Sequence, residues 1–389
     1  MRSFIAASAV ATVIAALSIG SNSALAQEHV TVGIVSATTG PFAAPGKFQL
    51  NGFNLAAEEI NGHGGFEVGG KHYLVDLKIY DVHASAAEGA SAMQRLTTVD
   101  SVPVVLGELS SAAAAAEAPI AQDNQVPLIL TVPTGPELTA QKNPYLFRVN
   151  ANSNQLSKSL AEFVGKQGWS PLSFIAWNND AGRGGVNGMR EYLPPNVKLG
   201  YVGYFNVGDV DFSSHVTNIR SSGAKAVMLL MDEEPGSLAI AQLRAANVPV
   251  QIIGTLAMGS DRFLKRLDAA RLAGMVQYNA FPPNAPLPRI KAFSERYKAK
   301  FGEEAHGFAA QSYDGLFVAI EAMKQAKTVT DGPKIRDALA HLTHEGVIGR
   351  IKFDASGQAD PPVYVTQWCD DGRRRILYPA DMAAGCGAG

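Results

Sequence analysis

Two serines at the start of an alanine-rich stretch are the first residues whose type and position suggest chemistry. Ser110 and Ser111 follow the apolar run Val102–Leu106 and precede Ala112–Asn124, which is predicted to be a helix. A serine here can cap the helix and leave backbone N–H groups free, and such groups with a hydroxyl beside them suit a carboxylate. The alternative is an ordinary helix cap without a ligand, and the local pattern leaves both open.

A second polar turn follows the next apolar run, Val126–Leu130. It reads Thr131-Val132-Pro133-Thr134-Gly135-Pro136, in which proline restricts the backbone and glycine permits a turn. Backbone amides and the Thr134 hydroxyl can then point at a ligand. Alone this segment is only a turn, but beside Ser111 on the adjacent strand it predicts a cradle for a carboxylate.

Further candidates follow strands predicted in the second half of the chain. Asn179 and Ala181 lie in one such turn, and Asp232 and Glu233 lie in another. Acidic residues in the first turn of a helix are often simple partners of the helix dipole, and the alternative is that they bind a cationic group of a ligand. An apolar wall is expected from residues past other strand ends, namely Leu256, Met258 and Tyr278.

Signatures of catalysis are scarce in the sequence. No G-x-G-x-x-G follows the first strand, Gly46-Lys47 lacks the rest of a phosphate loop, and no G-x-S-x-G is present. His341 and His344 have i, i+3 spacing without a nearby third ligand, so they are expected to end a helix rather than bind a metal. We therefore expect neither an enzyme nor a cofactor or metal site.

The composition favours two globular domains. The chain has 389 residues, of which 47% are hydrophobic and 17% charged, so it can bury sizeable cores. Its formal net charge of -2 gives no electrostatic footprint for a nucleic acid, which we exclude as a partner.

The N-terminus has the pattern of a secretory signal peptide. Arg2 is followed by the apolar stretch Phe4–Ile19 and then by the small-residue site Ala24-Leu25-Ala26, which predicts a signal peptide over residues 1–26 and cleavage before Gln27. A membrane anchor is the alternative, but about 16 mostly small residues fall short of the roughly 20 that span a bilayer. We therefore expect export to the periplasm.

Two cysteines, Cys369 and Cys386, lie near the C-terminus. In an oxidising compartment such a pair predicts one disulfide, and the alternative is two free thiols. C-x-x-C is absent, so neither a redox motif nor a zinc site is indicated.

The elements that must position these residues alternate between short apolar runs and helical patterns. Repeated β-α-β implies a parallel sheet with helices on both faces, which binds ligands at the C-terminal ends of its strands. The first series of strands and intervening helices is Val30–Ser36, Lys47–Asn61, Leu74–Asp81, Ala84–Val99, Val102–Leu106, Ala112–Asn124 and Val126–Leu130.

A second series begins near Phe147 and predicts a second sheet. Its elements include strand Leu172–Trp177, helix Gly184–Leu193, strand Leu199–Phe205 and, later in the chain, helix Pro288–Phe301. Late helical stretches return to the first sheet, so the chain must cross between the two several times. The predicted fold class is α/β, with two doubly wound parallel-sheet lobes joined by a multi-crossing hinge. The first lobe is expected to comprise residues 28–147 plus 281–355, and the second residues 148–280 plus 356–389.

A set of short motifs occurs in a fixed order along the chain: Thr39-Gly40-Pro41-Phe42, Asn51-Gly52, Glu59-Ile60-Asn61-Gly62-His63-Gly64-Gly65, Tyr80-Asp81, Gly107-Glu108-Leu109-Ser110-Ser111, Pro136-Glu137-Leu138-Thr139, Phe147-Arg148-Val149, Ser312-Tyr313-Asp314, Gly349-Arg350-Ile351-Lys352-Phe353-Asp354 and Gly357. No single motif is specific, but their order is. In this order they resemble the Leu/Ile/Val-binding periplasmic proteins of ABC transporters, over about Val30 to Tyr378.

The resemblance implies a type I periplasmic binding fold with three hinge crossings and a ligand between the lobes. By position, Ser111 matches the serine that holds a ligand carboxylate, and Val132 and Thr134 match its backbone and hydroxyl partners. Phe42 and Ser110 are also expected among the ligand-binding residues.

Departures from the family concern the ligand. Leu256 stands where the amino-acid binders have an acidic residue for the ligand ammonium, and Asp232 or Glu233 can supply the missing charge. The aromatic wall near Ala181 is also replaced. Ala84 and Ser110 stand near the positions of the family's usual disulfide in the first lobe.

The sequence therefore predicts the extracytoplasmic solute-binding component of an ABC importer. It is expected to act as a monomer, to capture a small carboxylate ligand such as a branched-chain amino acid, and to deliver it to a membrane permease. The alternatives are a binder of an aromatic or aliphatic acid without an ammonium group, or a ligand sensor of the same fold.

Overall fold

The structure is a computed structural model that describes residues 28–259, 261–282, 285, 287–383 and 385–386. The predicted signal peptide, residues 1–26, lies outside these residues. Among the residues described, no helix is both long enough and apolar enough to cross a membrane.

A six-stranded sheet is built from the first part of the chain. Its order is β2-β3-β1-β4-β5-β6, and all neighbours are parallel except the hairpin of β2 and β3. These strands are β1 (Glu28–Ser36), β2 (Phe66–Val68), β3 (Lys71–Asp81), β4 (Val105–Gly107), β5 (Leu128–Leu130) and β6 (Leu146–Arg148). The helices between them are α1 (Ala43–Gly62), α2 (Ala86–Thr98), α3 (Ser111–Asp123) and α4 (Glu137–Ala140).

A seven-stranded sheet follows, with the order β15-β14-β11-β10-β9-β7-β8. Its first strands are parallel and are β7 (Leu172–Trp177), β8 (Leu199–Phe205), β9 (Ala226–Leu230), β10 (Gln251–Gly254) and β11 (Val276–Asn279). The accompanying helices are α5 (Ser153–Gln167), α6 (Asp180–Tyr192), α7 (Ser213–Ser221), α8 (Glu233–Ala245), α9 (Asp261–Arg266) and α10 (Ala269–Leu272).

The last part of the chain serves both sheets. Three helices, α11 (Pro288–Phe301), α12 (Gly307–Ala326) and α13 (Gly332–His341), pack on the first sheet, and β12 (Thr343–Gly346) and β13 (Gly349–Lys352) form a separate hairpin beside it. The antiparallel strands β14 (Tyr364–Trp368) and β15 (Arg374–Tyr378) then complete the second sheet. We call each sheet with its helices a lobe.

Three passages of the chain connect the lobes: β6 to α5, β11 to α11, and β13 to β14. The first and third run side by side, because the Arg148 amide donates to the Gly357 carbonyl at 2.8 Å and the Ala359 amide donates to the Arg148 carbonyl at 3.0 Å. Connecting strands that run side by side can twist together, which suits a hinge. The exact lobe boundaries remain predictions; β6 itself ends at Arg148.

Apolar side chains cover both faces of each sheet. Along β1, Val32 and Ile34 pack on one face and Val35 packs on the other, and all are fully buried. This explains why the parallel strands appear in the sequence as nearly continuous apolar runs. Each such side chain contributes about 1.5–3 kcal/mol by leaving water.

Helices α1 and α12 approach each other closely in the first lobe. A Cβ added at Gly52 would lie 2.1 Å from the Ala309 carbonyl oxygen, so only glycine fits the contact. The Asn51-Gly52 pair in the sequence therefore has a packing reason.

Several elements differ from the sequence prediction. Helix α1 begins at Ala43 instead of Lys47, because Pro45 falls in its first turn, where proline is tolerated. Helix α6 begins at Asp180 rather than at Gly184, since Asn179 caps it despite the four glycines in the helix. The edge strand β2 and the antiparallel β14 and β15 make both sheets mixed rather than wholly parallel.

Cys369 and Cys386 form a disulfide that closes a segment after β14, which is the pairing that the sequence predicts.

Candidate ligand-binding cleft

Helix α3 begins directly behind the C-terminal end of β4. The hydroxyl oxygen of Ser110 accepts the Ala113 amide at 3.3 Å and so caps the helix. The amides of Ser111 and Ala112, as the first two of the helix, have no acceptor within it. The Ser110 hydroxyl is thus engaged in capping, and its role in ligand binding stays a prediction.

The backbone at Gly107 allows the strand to turn into this helix. Its φ is +140°, and an added Cβ would lie 1.9 Å from the Val35 carbonyl oxygen. Glycine is therefore required here on both grounds. After it, the Glu108 carboxylate accepts the amides of Leu109 at 2.6 Å and Ser110 at 3.0 Å, which fixes the turn before the helix.

The turn after β5 meets the start of α3. The Gly135 amide donates to the Ser111 hydroxyl oxygen at 3.0 Å. Within the part of the chain that the structure describes, the Thr134 amide and hydroxyl have no partner, whereas its carbonyl accepts the Ser153 amide at 2.9 Å. We call Ser111, Ala112 and the turn Val132–Gly135 the anion cradle, because their unpaired donors lie at one point of the sheet edge.

Val132 is mostly buried and is held through its backbone. Asn150, just after β6, donates its side-chain amide to the carbonyl oxygens of Val132 and Pro133, each at 3.2 Å. Asn150 thereby fixes the backbone of the turn through these two carbonyls. Sequence reasoning missed this residue, since nothing in its local pattern points to the turn.

Four of the predicted ligand residues line one enclosed pocket between the lobes. Val132 and Thr134 come from the first lobe, and Leu256 and Tyr278 come from the second. The rest of the lining is Asn150, Ala151, Leu156, Ala280, Phe308, Gln311, Ile348, Pro361, Pro362 and Val363. The pocket is predominantly apolar, so a ligand group that enters it is expected to be hydrophobic.

Leu256 belongs to a short 3-10 helix, Leu256–Met258, that touches the first lobe. Its side chain lies against Gly307 at the start of α12, and its backbone hydrogen bonds with His306. The His306 ring stacks on Phe48 with 4.5 Å between centroids, and burial lowers the pKa of His306 to about 3. Leu256 thus forms an apolar contact between lobes rather than an ion pair.

Asp232 stands at the N-terminus of α8 in the cap position but makes no capping hydrogen bond. Water reaches its carboxylate, yet the surrounding protein desolvates it enough to raise its pKa. It lies near the half-buried Tyr278, where burial first and the Asp232 charge second raise the pKa of the phenol to about 12. Asp232 itself is exposed and does not line the enclosed pocket, so its contact with a ligand stays a prediction.

The enclosed pocket is not lined by the other predicted residues, Ser110, Ser111 and Asp232 included. Glu233 is in the first turn of α8, where an acid complements the helix dipole. Asn179 caps α6 by accepting the Gly182 amide at 2.9 Å, and Ala181 is exposed beside it. Phe42 is 48% exposed on the loop after β1. Their ligand-binding roles remain predictions.

A buried ionisable pair lies behind the cradle. Glu117, on α3, is fully buried, and neither of its carboxylate oxygens has a hydrogen-bond partner among the described residues. Burial raises its pKa well above the usual value, and the nearby Glu108 raises it further. Burial thus favours the protonated form of Glu117.

The lobes are also joined by an ion pair. Arg374 on β15 donates to the Glu304 carboxylate at 2.5 Å and to the Gly259 carbonyl at 2.6 Å. Glu304 precedes α12, so the contact runs from the second lobe to the first. It was not foreseen from the sequence, because the partners are 70 residues apart.

The geometry suits binding rather than bond making. The cradle offers hydrogen-bond donors that have no partner among the described residues, and the second lobe offers an apolar wall with the Asp232 carboxylate at its exposed edge. Among the described residues, no group of three metal-binding side chains occurs. The arrangement can hold the acidic end of a small molecule and cover its apolar part.

Comparisons with known proteins bear on this geometry. The sequence model of the family named periplasmic binding protein matches residues 29–373. The Leu/Ile/Val-binding protein homolog 3 of Brucella melitensis is 27% identical over 359 residues, which are 90% of this chain and 93% of the relative.

Solved structures share the fold. The branched-chain amino acid transporter substrate-binding protein LivJ of Streptococcus pneumoniae, in complex with isoleucine, is 25% identical with a TM-score of 0.79, and the match covers 90% of this chain and 100% of LivJ. An ABC transporter solute-binding protein of R. palustris, in complex with benzoate, has a TM-score of 0.78 over 92% of this chain and 100% of its own. At 19% identity, the second shows similarity of fold alone.

Proposed function

Because the chain belongs to the periplasmic binding protein family, we propose that it captures a small carboxylate ligand between its two lobes as the substrate-binding component of an ABC importer. Its fold is the two-lobed α/β fold predicted from the sequence, which is confirmed. The family acts outside the cytoplasm. The proposal also includes delivery to a permease, a periplasmic location after signal cleavage, the absence of catalysis and a monomeric state.

One observation supports a carboxylate ligand above all. The Gly135 amide donates to the Ser111 hydroxyl, which brings the start of α3 and the unpaired Thr134 amide and hydroxyl to one place. Hydrogen bonds from neutral donors to an anion are stronger than those to a neutral acceptor, and a helix start adds a favourable field. Ser111 and Thr134, with the Val132 backbone, are therefore proposed to hold the carboxylate.

The second lobe is proposed to close over the rest of the ligand. Leu256 and Tyr278 provide apolar surface, and Asp232 is the proposed partner for an ammonium group. Closure is favoured only when both lobes touch the ligand, and the paired passages at Arg148 and Gln358 provide a hinge for it. The division into residues 28–147 plus 281–355 and residues 148–280 plus 356–389 is the proposed pair of moving bodies.

The main ligand candidates are branched-chain amino acids. A relative is named a Leu/Ile/Val-binding protein homolog, and LivJ was solved with isoleucine. The benzoate complex of a protein with the same fold makes acids without an ammonium group the natural comparison set.

A ligand screen followed by calorimetry tests the proposal. The mature protein is heated with leucine, isoleucine, valine, benzoate and short aliphatic acids, and each compound that raises the melting temperature is titrated. We expect one class of acid to bind with 1:1 stoichiometry and to be recovered chemically unchanged. Failure of every acid to bind, or conversion of a bound acid, contradicts the proposal.

A further inference from the structure

Arg148, at the end of β6, is a fully buried cation in the middle of the hinge. Its guanidinium donates four hydrogen bonds: to the Gly135 carbonyl at 2.6 Å, the Gln358 side-chain carbonyl at 2.7 Å, the Thr139 hydroxyl at 3.0 Å and the Pro133 carbonyl at 3.4 Å. All of these acceptors are neutral.

The positive charge of Arg148 is not neutralised by a direct partner. Within the described residues it forms no ion pair, and Glu137, an exposed acid on α4, acts on it only through space. Burial lowers the pKa of Arg148 to about 10, so the group still carries its charge at neutral pH. A buried cation without a direct ion-pair partner is costly, so such a charge is uncommon unless something uses it.

Two of the four acceptors belong to the anion cradle. The Pro133 carbonyl is part of the peptide whose N–H is the unpaired Thr134 amide, and both Arg148 and Asn150 donate to it. Donors on a carbonyl polarise the same peptide and strengthen the donor ability of its N–H. Gly135, whose carbonyl Arg148 also holds, is the residue whose amide orients the Ser111 hydroxyl.

The other strong contact leads to the third passage between the lobes. Gln358 receives the Arg148 Nε–H on its side-chain carbonyl and donates its own amide to the Asn150 carbonyl at 2.9 Å. Arg148 therefore touches the cradle on one side and the returning chain on the other.

We propose that Arg148 is a positioning residue whose charge, set one peptide behind the cradle and without a direct ion-pair partner, makes the cleft select the ionised acid over its neutral amide. This inference rests on the proposed function and adds the source of its charge selectivity. Arg148 acts through the backbone of Pro133 and Gly135 and does not touch the ligand.

The test neutralises the charge without removing the residue. Gln358→Glu places a carboxylate where the Arg148 Nε–H is already bound, whereas Gln358→Met has a similar volume and adds no charge. For the tightest-binding acid of the screen and its primary amide, calorimetry gives the ratio of the two dissociation constants. We expect Gln358→Glu to reduce the preference for the acid by about tenfold, as an effective dielectric constant of about 20 implies for a charge several ångströms away. We expect Gln358→Met to keep the preference.

A second pair of variants separates charge from packing. Arg148→Lys keeps the cation, and we expect it to retain most of the acid preference. Arg148→Met removes the cation, and we expect it to reduce the preference by about tenfold, as Gln358→Glu does, while the amide binds nearly as before. If Arg148→Met does not fold, the variants Gln358→Glu and Gln358→Met still decide whether the charge sets the preference for the acid.

Equal weakening of acid and amide in Gln358→Glu, or an unchanged ratio, overturns the inference and shows a purely structural arginine. If the wild-type protein binds no acid of the screen, the proposed function itself fails, and this inference falls with it.

Discussion

The hydroxyl oxygen of Ser111 and the amide of Gly135 are joined by a hydrogen bond of 3.0 Å, although the residues follow different strands. In this contact the oxygen is the acceptor, so the hydroxyl proton is still available for donation to a third group. The contact thus gives Ser111 a defined orientation before any ligand arrives.

Replacement of Ser111 by alanine tests the cradle directly. The variant loses one hydrogen bond to a charged group, so we expect binding of the acid to weaken by about 1–2 kcal/mol, or roughly 5- to 30-fold. Calorimetry at one pH measures the change. The matched control is Ser110→Ala, which removes the helix cap and is expected to cost about 1 kcal/mol of stability while affinity changes little. Unchanged affinity in Ser111→Ala would exclude Ser111 from the site.

Asp232 distinguishes the two classes of ligand. We expect Asp232→Asn to weaken binding of an amino acid by about tenfold, because one partly buried ion pair with the ammonium is lost, and to leave binding of benzoate unchanged. The matched control is Glu233→Gln, the next acid along α8.

The pH dependence adds a second measurement on Asp232. Desolvation raises the pKa of its carboxyl, and the protonated form cannot pair with an ammonium. The affinity for an amino acid should therefore fall as pH is lowered through this raised pKa, and the fall should vanish in Asp232→Asn. An identical pH profile in both proteins argues against Asp232 as the ammonium partner.

Glu117 predicts how stability responds to pH. Its pKa is raised in the folded protein by burial and by Glu108, whereas an unfolded chain releases the proton near pH 4.5. The folded state thus binds more protons above that pH, so the contribution of Glu117 to stability falls as pH rises. Glu117→Gln cannot ionise, and its stability relative to wild type should increase from pH 4.5 to pH 8 in urea unfolding.

An exposed acid provides the control for this experiment. Glu162 lies on the exposed face of α5, and we expect Glu162→Gln to change stability by the same small amount at every pH. A Glu117→Gln difference that does not vary with pH means that the carboxyl is ionised or hydrated in the folded protein.

The ion pair between Arg374 and Glu304 predicts coupling across the lobes. Arg374 is almost completely buried, so its interaction with Glu304 is less screened than a surface pair. In a double-mutant cycle of Arg374→Met and Glu304→Gln, we expect a coupling free energy of about 1 kcal/mol in unfolding. The more exposed pair of Lys334 and Asp331, the residue that caps α13, should give a smaller value, and equal values for both pairs refute a special role.

Local elements were predictable where the pattern was strong. The bounds of β7, β8 and α11 agree with the structure, because apolar runs and a proline mark their ends. The start of α6 was missed, since its glycines resemble a loop and only the Asn179 side chain shows that the helix begins there. The prediction of secondary structure failed at places where a single hydrogen bond decides the boundary.

The candidate site was predictable only in part. Strand-end position and motif order pointed to Ser111, Val132 and Thr134, and to Leu256 and Tyr278. Arg148 was noted only as one letter of a motif, because its partner Gln358 is 210 residues away and no periodicity connects the two. The signal for its burial is a charged residue between two apolar residues at the end of a short strand, Phe147-Arg148-Val149.

The three passages between the sheets also affect how the protein is made. Neither lobe is a continuous stretch of the chain: the first waits for α11–α13, and the second waits for β14 and β15. During synthesis and export, both halves therefore remain incomplete until nearly the whole polypeptide has emerged. Neither half is expected to fold as an isolated fragment cut from the sequence, and both must mature together.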